Sequence, residues 1–406
     1  MTNTTAWLPE DSHQQGDVTT PVDVFVHYPH KISDTAYTVV ASLLTFIFIS
    51  GITLNSLCLV VFACNKKLRS PTNMFVVGLN VCDLCMALFG TFPSMTSSWN
   101  GQWLYGPYGC RFEGFMVYFL GLTSLYLLCA ISFDRYVVIA KPLIGAKITH
   151  MYAFIAIVLC YLGGFLWAFF PLVGWNEYVL EGAGVSCSVV WETINASYTA
   201  YIITIFFTCM VIPLAVIIFS YHGVYMTIRS MSRNTQMSDR IAKKNMKVEK
   251  KMAKTIAVML GGYLGCWAPY TIFSFIVVFH GPGIISPELA TFPAIIAKSQ
   301  GMWDPLLYVL SNKQFRQGLY AILPCSGLRE ALEKEEERPD SDDEADEEAG
   351  KKAGGGNKGK TNKVAPVESE AKTATMEVEV PVENNCLKVE EVEMARSEQG
   401  PSSSDG

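Results

Sequence analysis

Charge is what this sequence has least of. Only 17% of its 406 residues are Asp, Glu, Lys or Arg, half are hydrophobic, and the mean hydropathy is positive. That scarcity excludes an ordinary soluble domain of this size, which would carry more charge. Residues 1–34 have no apolar stretch of signal-peptide type, so the first long apolar segment is expected to direct insertion. The stretches 98–106, 175–198 and 280–285 contain no Lys or Arg, and residues 331–406 contain no aromatic side chain. The 12 cysteines show no zinc-ligand spacing, so no metal site is expected. Nothing in the charge pattern suggests nucleic acid; basic loops facing anionic membrane lipid account for the positive charge there is.

What the chain does have is apolar runs of bilayer length, which takes about 20 helical residues. Seven are read at 36–63, 72–97, 107–138, 151–174, 199–224, 252–279 and 286–309. An odd number puts the termini on opposite sides. Lys66, Lys67 and Arg69, then Lys141 and Lys147, then Arg229 to Lys251, then Lys313 and Arg316 mark one face as cytoplasmic, so the amino terminus is expected outside. The glycosylation sequons at Asn3 and Asn195 agree with that orientation. Cys110 and Cys187 both fall at the oxidising outer face, where a disulfide between them would tie the 175–198 loop to the third span. Cys325 follows the last span in a short amphipathic stretch and is a palmitoylation candidate. Residues 331–406 hold 21 Asp or Glu against 10 Lys or Arg, a net of −11, and are expected to be disordered.

Ionisable residues inside spans are costly and mark function. Those far from water are Asp83, Glu113, Asp134 with Arg135, Lys298 and Asp304. Lys298 lies midway along the last span, too deep to snorkel. Burial disfavours an ammonium, and a neutral amine can attack an aldehyde to form a Schiff base. A structural ion pair or polar link between helices would use the same residue, and the local sequence leaves both readings open. Cys266-Trp267-Ala268-Pro269-Tyr270 puts a kinking proline in span six, with an indole two residues before it. Asp134-Arg135-Tyr136 ends span three and Glu249 precedes span six on the same side, so an Arg135–Glu249 pair could latch two helices.

Over 36–325 these residues resemble the rhodopsin-type G-protein-coupled receptors. The resemblance rests on Asn55, Leu79-Asn80-Val81-Cys82-Asp83, Asp134-Arg135-Tyr136, Pro213 with Tyr221, Cys266-Trp267-Ala268-Pro269 and Asp304-Pro305-Leu306-Leu307-Tyr308, in the family's order. Within that superfamily the chain looks like an opsin. Phe292-Pro293-Ala294 followed by Lys298 is similar to the retinal-attachment segment, and Gly106 to Gly114 resembles the segment carrying the visual-pigment counterion, with Glu113 on that position. Pro171 to Trp175 looks like the opsin exit from span four, and Glu181 matches a second acidic position in the extracellular plug. Ser311-Asn312-Lys313-Gln314-Phe315-Arg316 resembles the eighth-helix start of ciliary opsins, whereas Ser186-Cys187-Ser188 looks more like non-visual or invertebrate ones.

The resemblance implies an all-α membrane protein: a seven-transmembrane helix bundle with a short amphipathic eighth helix and a disordered cytoplasmic tail. Residues 1–35 would be an extracellular segment, 36–325 the receptor domain and 326–406 the tail. It implies retinal, 11-cis or all-trans, on Lys298, with Glu113 as counterion, Glu181 as the alternative, and Trp267, Tyr270, Gly121 and Tyr263 lining the pocket. Asp134, Arg135, Tyr136, Glu249, Asn312, Lys313 and Gln314 would engage a heterotrimeric G protein. Tail Ser and Thr residues would either be phosphorylated by a receptor kinase to recruit arrestin or be plain disordered filler, and the location would be a plasma or photoreceptor membrane. The function implied is that of a light receptor and not an enzyme. A retinal photoisomerase of the same fold is the alternative, and a receptor for a diffusible ligand ranks third. Departures from the family pattern are Tyr161 in place of a tryptophan, Asp304 in place of the visual-pigment asparagine, and Leu122 with Cys209 in place of a Glu–His pair.

Overall fold

Proline and capping residues set where the helices begin. Ser70 precedes Pro71 and accepts from the Asn73 amide at 3.2 Å; Ser286 precedes Pro287 and accepts from Leu289 at 3.3 Å. Thr149 and Asn195 cap the fourth and fifth spans in the same way. The computed structural model describes residues 32–191, 195–233, 240–280 and 286–322. Among these, six helices are long and apolar enough to cross a membrane: Asp34–Cys64, Pro71–Trp99, Gly106–Ala140, His150–Val173, Ala196–Ser230 and Glu249–His280, the last continuing a helix that starts at Arg240. They are numbered here as spans one to six.

Span seven was expected as one run over 286–309. It is instead two helices, Pro287–Lys298 and Gln300–Ser311, of 12 residues each. Neither half alone reaches membrane length, but with Ser299 they cover about 37 Å at 1.5 Å per residue. The break is a local tightening: the Ser299 amide is shared between the carbonyls of Ile295 and Ile296, both at 3.1 Å.

Two other spans widen instead. Turns of π type occupy Ala87–Thr91 and Phe207–Val211, each just ahead of a proline, Pro93 and Pro213. A proline ring clashes with the carbonyl four residues back and supplies no N–H, and the wider turn makes room for it.

Span three is the centre of the bundle, with buried side chains recurring from Cys110 to Ile139, whereas in His150–Phe169 only Ala153, Gly164 and Ala168 are buried. The outer faces carry Phe46, Ile49, Phe154, Leu159, Leu162 and Ile218, all exposed by the protein and suited to lipid. Between spans four and five the chain forms an antiparallel hairpin, β1 (Tyr178–Glu181) with β2 (Ser186–Val189), pairing Glu181 with Ser186. A disulfide joins Cys187 of β2 to Cys110 of span three, with Cα atoms 5.5 Å apart.

Apart from the end of span one, these elements belong to one compact unit, which holds the described residues up to Leu59 and of Ser70–Ser311; Val60–Arg69 and 312–322 belong to a second. In the second unit the amphipathic helix Lys313–Ile322 packs through Phe315, fully buried, against Phe62, with ring centroids 5.2 Å apart.

Candidate functional site

Lys298 is the last residue of the first half of span seven, and its side chain is 3% exposed. Its Nζ lies 3.0 Å from Oε1 of Glu113, a span-three carboxylate with no exposure at all, and donates to Ser186 Oγ at 2.7 Å. Desolvating two charges is tolerated only where the remaining lone pairs are also satisfied. Here they are: Ser94 donates to Glu113 Oε1 at 2.8 Å and the Cys187 amide to Oε2 at 2.7 Å. The disulfide explains the second bond, because Cys110 sits one helical turn before Glu113 and brings β2 down beside the carboxylate.

Glu181 lies one link further away. Ser186 Oγ donates to Glu181 Oε1 at 3.3 Å, and Glu181 Oε2 accepts from Tyr270 at 3.1 Å and from Trp191 Nε1 at 3.4 Å. A continuous polar chain therefore runs Glu113, Lys298, Ser186, Glu181, Tyr270.

Tyr270 also lines a cavity walled by Tyr118, Gly121, Leu122, Cys209, Tyr263 and Trp267, nearly all apolar or aromatic surface. Lys298 is not part of the cavity wall; the chain through Tyr270 connects the two. Trp267 lies directly over Gly121, where an added Cβ would come within 2.6 Å of the indole. Tyr263 donates to the Gly121 carbonyl at 2.9 Å and closes the same floor. The lining suits an apolar ligand, and the buried Lys298 amine, a nucleophile when neutral, is linked to it through Ser186, Glu181 and Tyr270.

Deeper in the bundle, Gln300 Nε2 bridges two carboxylates, reaching Asp83 Oδ1 at 3.1 Å and also bonding Asp304 Oδ2. At the end opposite the hairpin, Arg135 Nη1 meets Glu249 Oε2 at 2.5 Å and Nη2 meets Asp134 Oδ2 at 2.6 Å. Thr72 donates to Asp134 Oδ2 at 2.7 Å and accepts from Arg135. Tyr136 packs on Phe219 with ring centroids 5.2 Å apart.

Residues 54–308 match the model of the 7 transmembrane receptor (rhodopsin family). The chain is 35% identical over 298 residues to pinopsin of Columba livia, covering 73% of this chain and 84% of pinopsin. It is 33% identical over 334 residues to rhodopsin of Scyliorhinus canicula, covering 80% and 90% respectively. The crystal structure of squid rhodopsin superposes with a TM-score of 0.69 at 26% identity, over 78% of this chain and 97% of that one. The chain belongs to the opsins. It is an integral membrane protein of seven helices, a light-activated receptor that couples to G proteins and takes retinal as chromophore.

In this opsin the fold brings Lys298, Glu113, Glu181 and Tyr270 into one polar chain, and Trp267, Gly121 and Tyr263 into one wall. It brings Asp134, Arg135 and Glu249 together as well. Asn195 is exposed at the start of span five; Asn312 caps the amphipathic helix, accepting from the Phe315 amide at 3.1 Å, and Lys313 is that helix's first residue. Asn3, Cys325, the Gln314 side chain and the tail lie outside the described residues. Sequence reasoning missed Ser94, Ser186 and Thr72, the hydroxyls that complete the two charged clusters. Only Ser186 had a signal, its place beside Cys187.

Proposed function

We propose that retinal is carried on Lys298 Nζ as a Schiff base, with Glu113 as its counterion. The observation that carries this reading is the buried 3.0 Å approach of Lys298 to Glu113, linked through Ser186, Glu181 and Tyr270 to an aromatic-walled cavity. Bound there, retinal supplies a change of shape on absorbing light. The protein's part is to hold one positive charge at Lys298 against one negative charge at Glu113, away from water. Ser94 and the Cys187 amide fix the carboxylate. Glu181, reached only through Ser186, is the alternative counterion and holds a second carboxylate in reserve. Trp267, over Gly121, is the side chain that any change of shape in the cavity would press upon, two residues from the Pro269 kink.

The Arg135–Glu249 pair joins span three to span six and keeps the receptor off. Its opening would free Asp134, Arg135 and Tyr136 for the G protein; Asn312, Lys313 and Gln314, in the second unit, would engage the same partner. The amino terminus would lie outside, with Asn195 and the disulfide on that face, and the acidic tail inside, where phosphorylation by a receptor kinase would recruit arrestin.

The test is an absorbance spectrum of purified protein after incubation with 11-cis-retinal, beside Lys298→Ala. A retinal-dependent band that moves on illumination and is missing in the variant supports the attachment. Free retinal alone in both samples, with folded protein, overturns it.

A further inference from the structure

The turn between β1 and β2 is held in a way the chemistry above does not use. Gly182 and Gly184 both adopt positive φ, 52° and 69°, and the Gly184 amide closes the turn on the Glu181 carbonyl at 3.0 Å. The residue between them, Ala183, is gripped on both sides of its backbone. Its amide donates to Thr291 Oγ1 of span seven at 2.9 Å, and its carbonyl accepts from the Tyr37 hydroxyl of span one at 2.9 Å. The glycine beside it leaves no slack, because a Cβ on Gly182 would lie 2.6 Å from Thr291 Oγ1 and 3.1 Å from the Thr291 amide nitrogen. Ala183 and Val185 are buried in one apolar cluster with Tyr37, Val40, Leu44 and Ile295.

The place of this clamp matters more than its strength. Thr291 lies seven residues before Lys298 in the same helix, so both face the same side, two turns apart. Glu181 and Ser186 sit at the two ends of the turn that Thr291 and Tyr37 hold. The clamp thus fixes the height of Ser186 and Glu181 against the helix that carries the amine.

We propose that Tyr37 and Thr291 are positioning residues for the chromophore's charge: through Ala183 they set the Lys298–Ser186–Glu181 spacing and so the absorption maximum. This rests on the attachment of retinal to Lys298 argued above.

The experiment uses the full chain as wild type, Tyr37→Phe, Thr291→Val and Thr291→Ser, with two readouts. Hydrogen exchange of the retinal-free protein reports the Ala183 amide, and absorbance after incubation with 11-cis-retinal reports the band. Thr291→Val should speed exchange at Ala183 by about fivefold, the worth of one hydrogen bond, and should shift the band. Tyr37→Phe should shift the band as well, and Thr291→Ser, which keeps a hydroxyl, should restore both readouts. Faster exchange with an unmoved band in both Tyr37→Phe and Thr291→Val would make the clamp a fastener only and overturn the positioning role. Unchanged exchange in Thr291→Val would overturn the clamp itself. Should one variant fail to fold, the band of the other still decides the positioning role, since they release the two successive peptide groups that flank Ala183. A wild type that forms no retinal-dependent band sinks the attachment and the positioning together, whereas a band that ignores the clamp sinks the positioning alone.

Discussion

The Tyr161 hydroxyl donates to the carbonyl oxygen of Gly78 at 2.8 Å, tying span four to span two. Tyr161 is the position where the family has a tryptophan, and its ring also meets Phe119 of span three edge-on, with centroids 6.1 Å apart. The replacement keeps a polar tip on an aromatic body, so the helix that is otherwise mostly lipid-facing is still anchored.

Removing that tip tests the anchor. Tyr161→Phe should lower the thermal unfolding midpoint by the equivalent of about 1 kcal/mol, the net worth of a buried hydrogen bond. The absorption maximum of the retinal-loaded protein should stay in place, since Tyr161 does not line the cavity. A shifted band with unchanged stability would contradict this assignment.

The Lys298–Glu113 pair makes a sharper prediction. Either Lys298→Ala or Glu113→Gln in the retinal-free protein leaves one buried group without its partner, at a cost of roughly 3–5 kcal/mol. The double variant should recover most of that loss. A double-mutant cycle on unfolding midpoints reads the coupling directly; additive losses would mean the two charges do not feel each other.

At the opposite end, Glu249→Gln should raise G-protein nucleotide exchange in the dark. The Glu249 side chain is 30% exposed, so solvent screens the pair and the latch is worth about 1 kcal/mol, close to a fivefold rise. Thr72→Ala should do the same more weakly, because it frees Arg135 and Asp134 of a shared hydroxyl. Dark activity equal to wild type in both variants would remove the latch role.

Asp83 and Asp304 are two acceptors bridged by one amide, and among the described residues Asp83 Oδ2 and Asp304 Oδ1 have no hydrogen-bond partner. Asp304→Asn adds a donor to this cluster and removes one acceptor-only group. The expected result is a gain in stability of roughly 1–3 kcal/mol, read as a higher unfolding midpoint. A loss would show that both carboxylates are needed as they stand.

How much of this was legible in the sequence depends on the kind of signal. Lys298, Glu113 and Arg135 announce themselves because a charge in an apolar run is expensive and therefore rare. Ser94 and Thr72 carry no such mark: a hydroxyl costs little in a helix, and its partner is fixed by the register of one helix against another; Ser186, on β2, is marked only by its place beside Cys187. The same holds for the Tyr161 bond, which is visible only once Gly78 is opposite. The hairpin strands are four residues each, and β2 is buried at every position, so no alternation reveals it. The break at Ser299 escaped because apolar residues continue on both sides of it.

That break changes what span seven can transmit. Lys298 ends one helix and Gln300 begins the next, so the amine sits at a pivot and not partway along a rigid rod. A push received there need not shift the outer half, which the hairpin turn grips at Thr291. It can rotate the inner half about Ser299, and that half carries Gln300, Asp304 and Tyr308 toward Asp83 and Asn73.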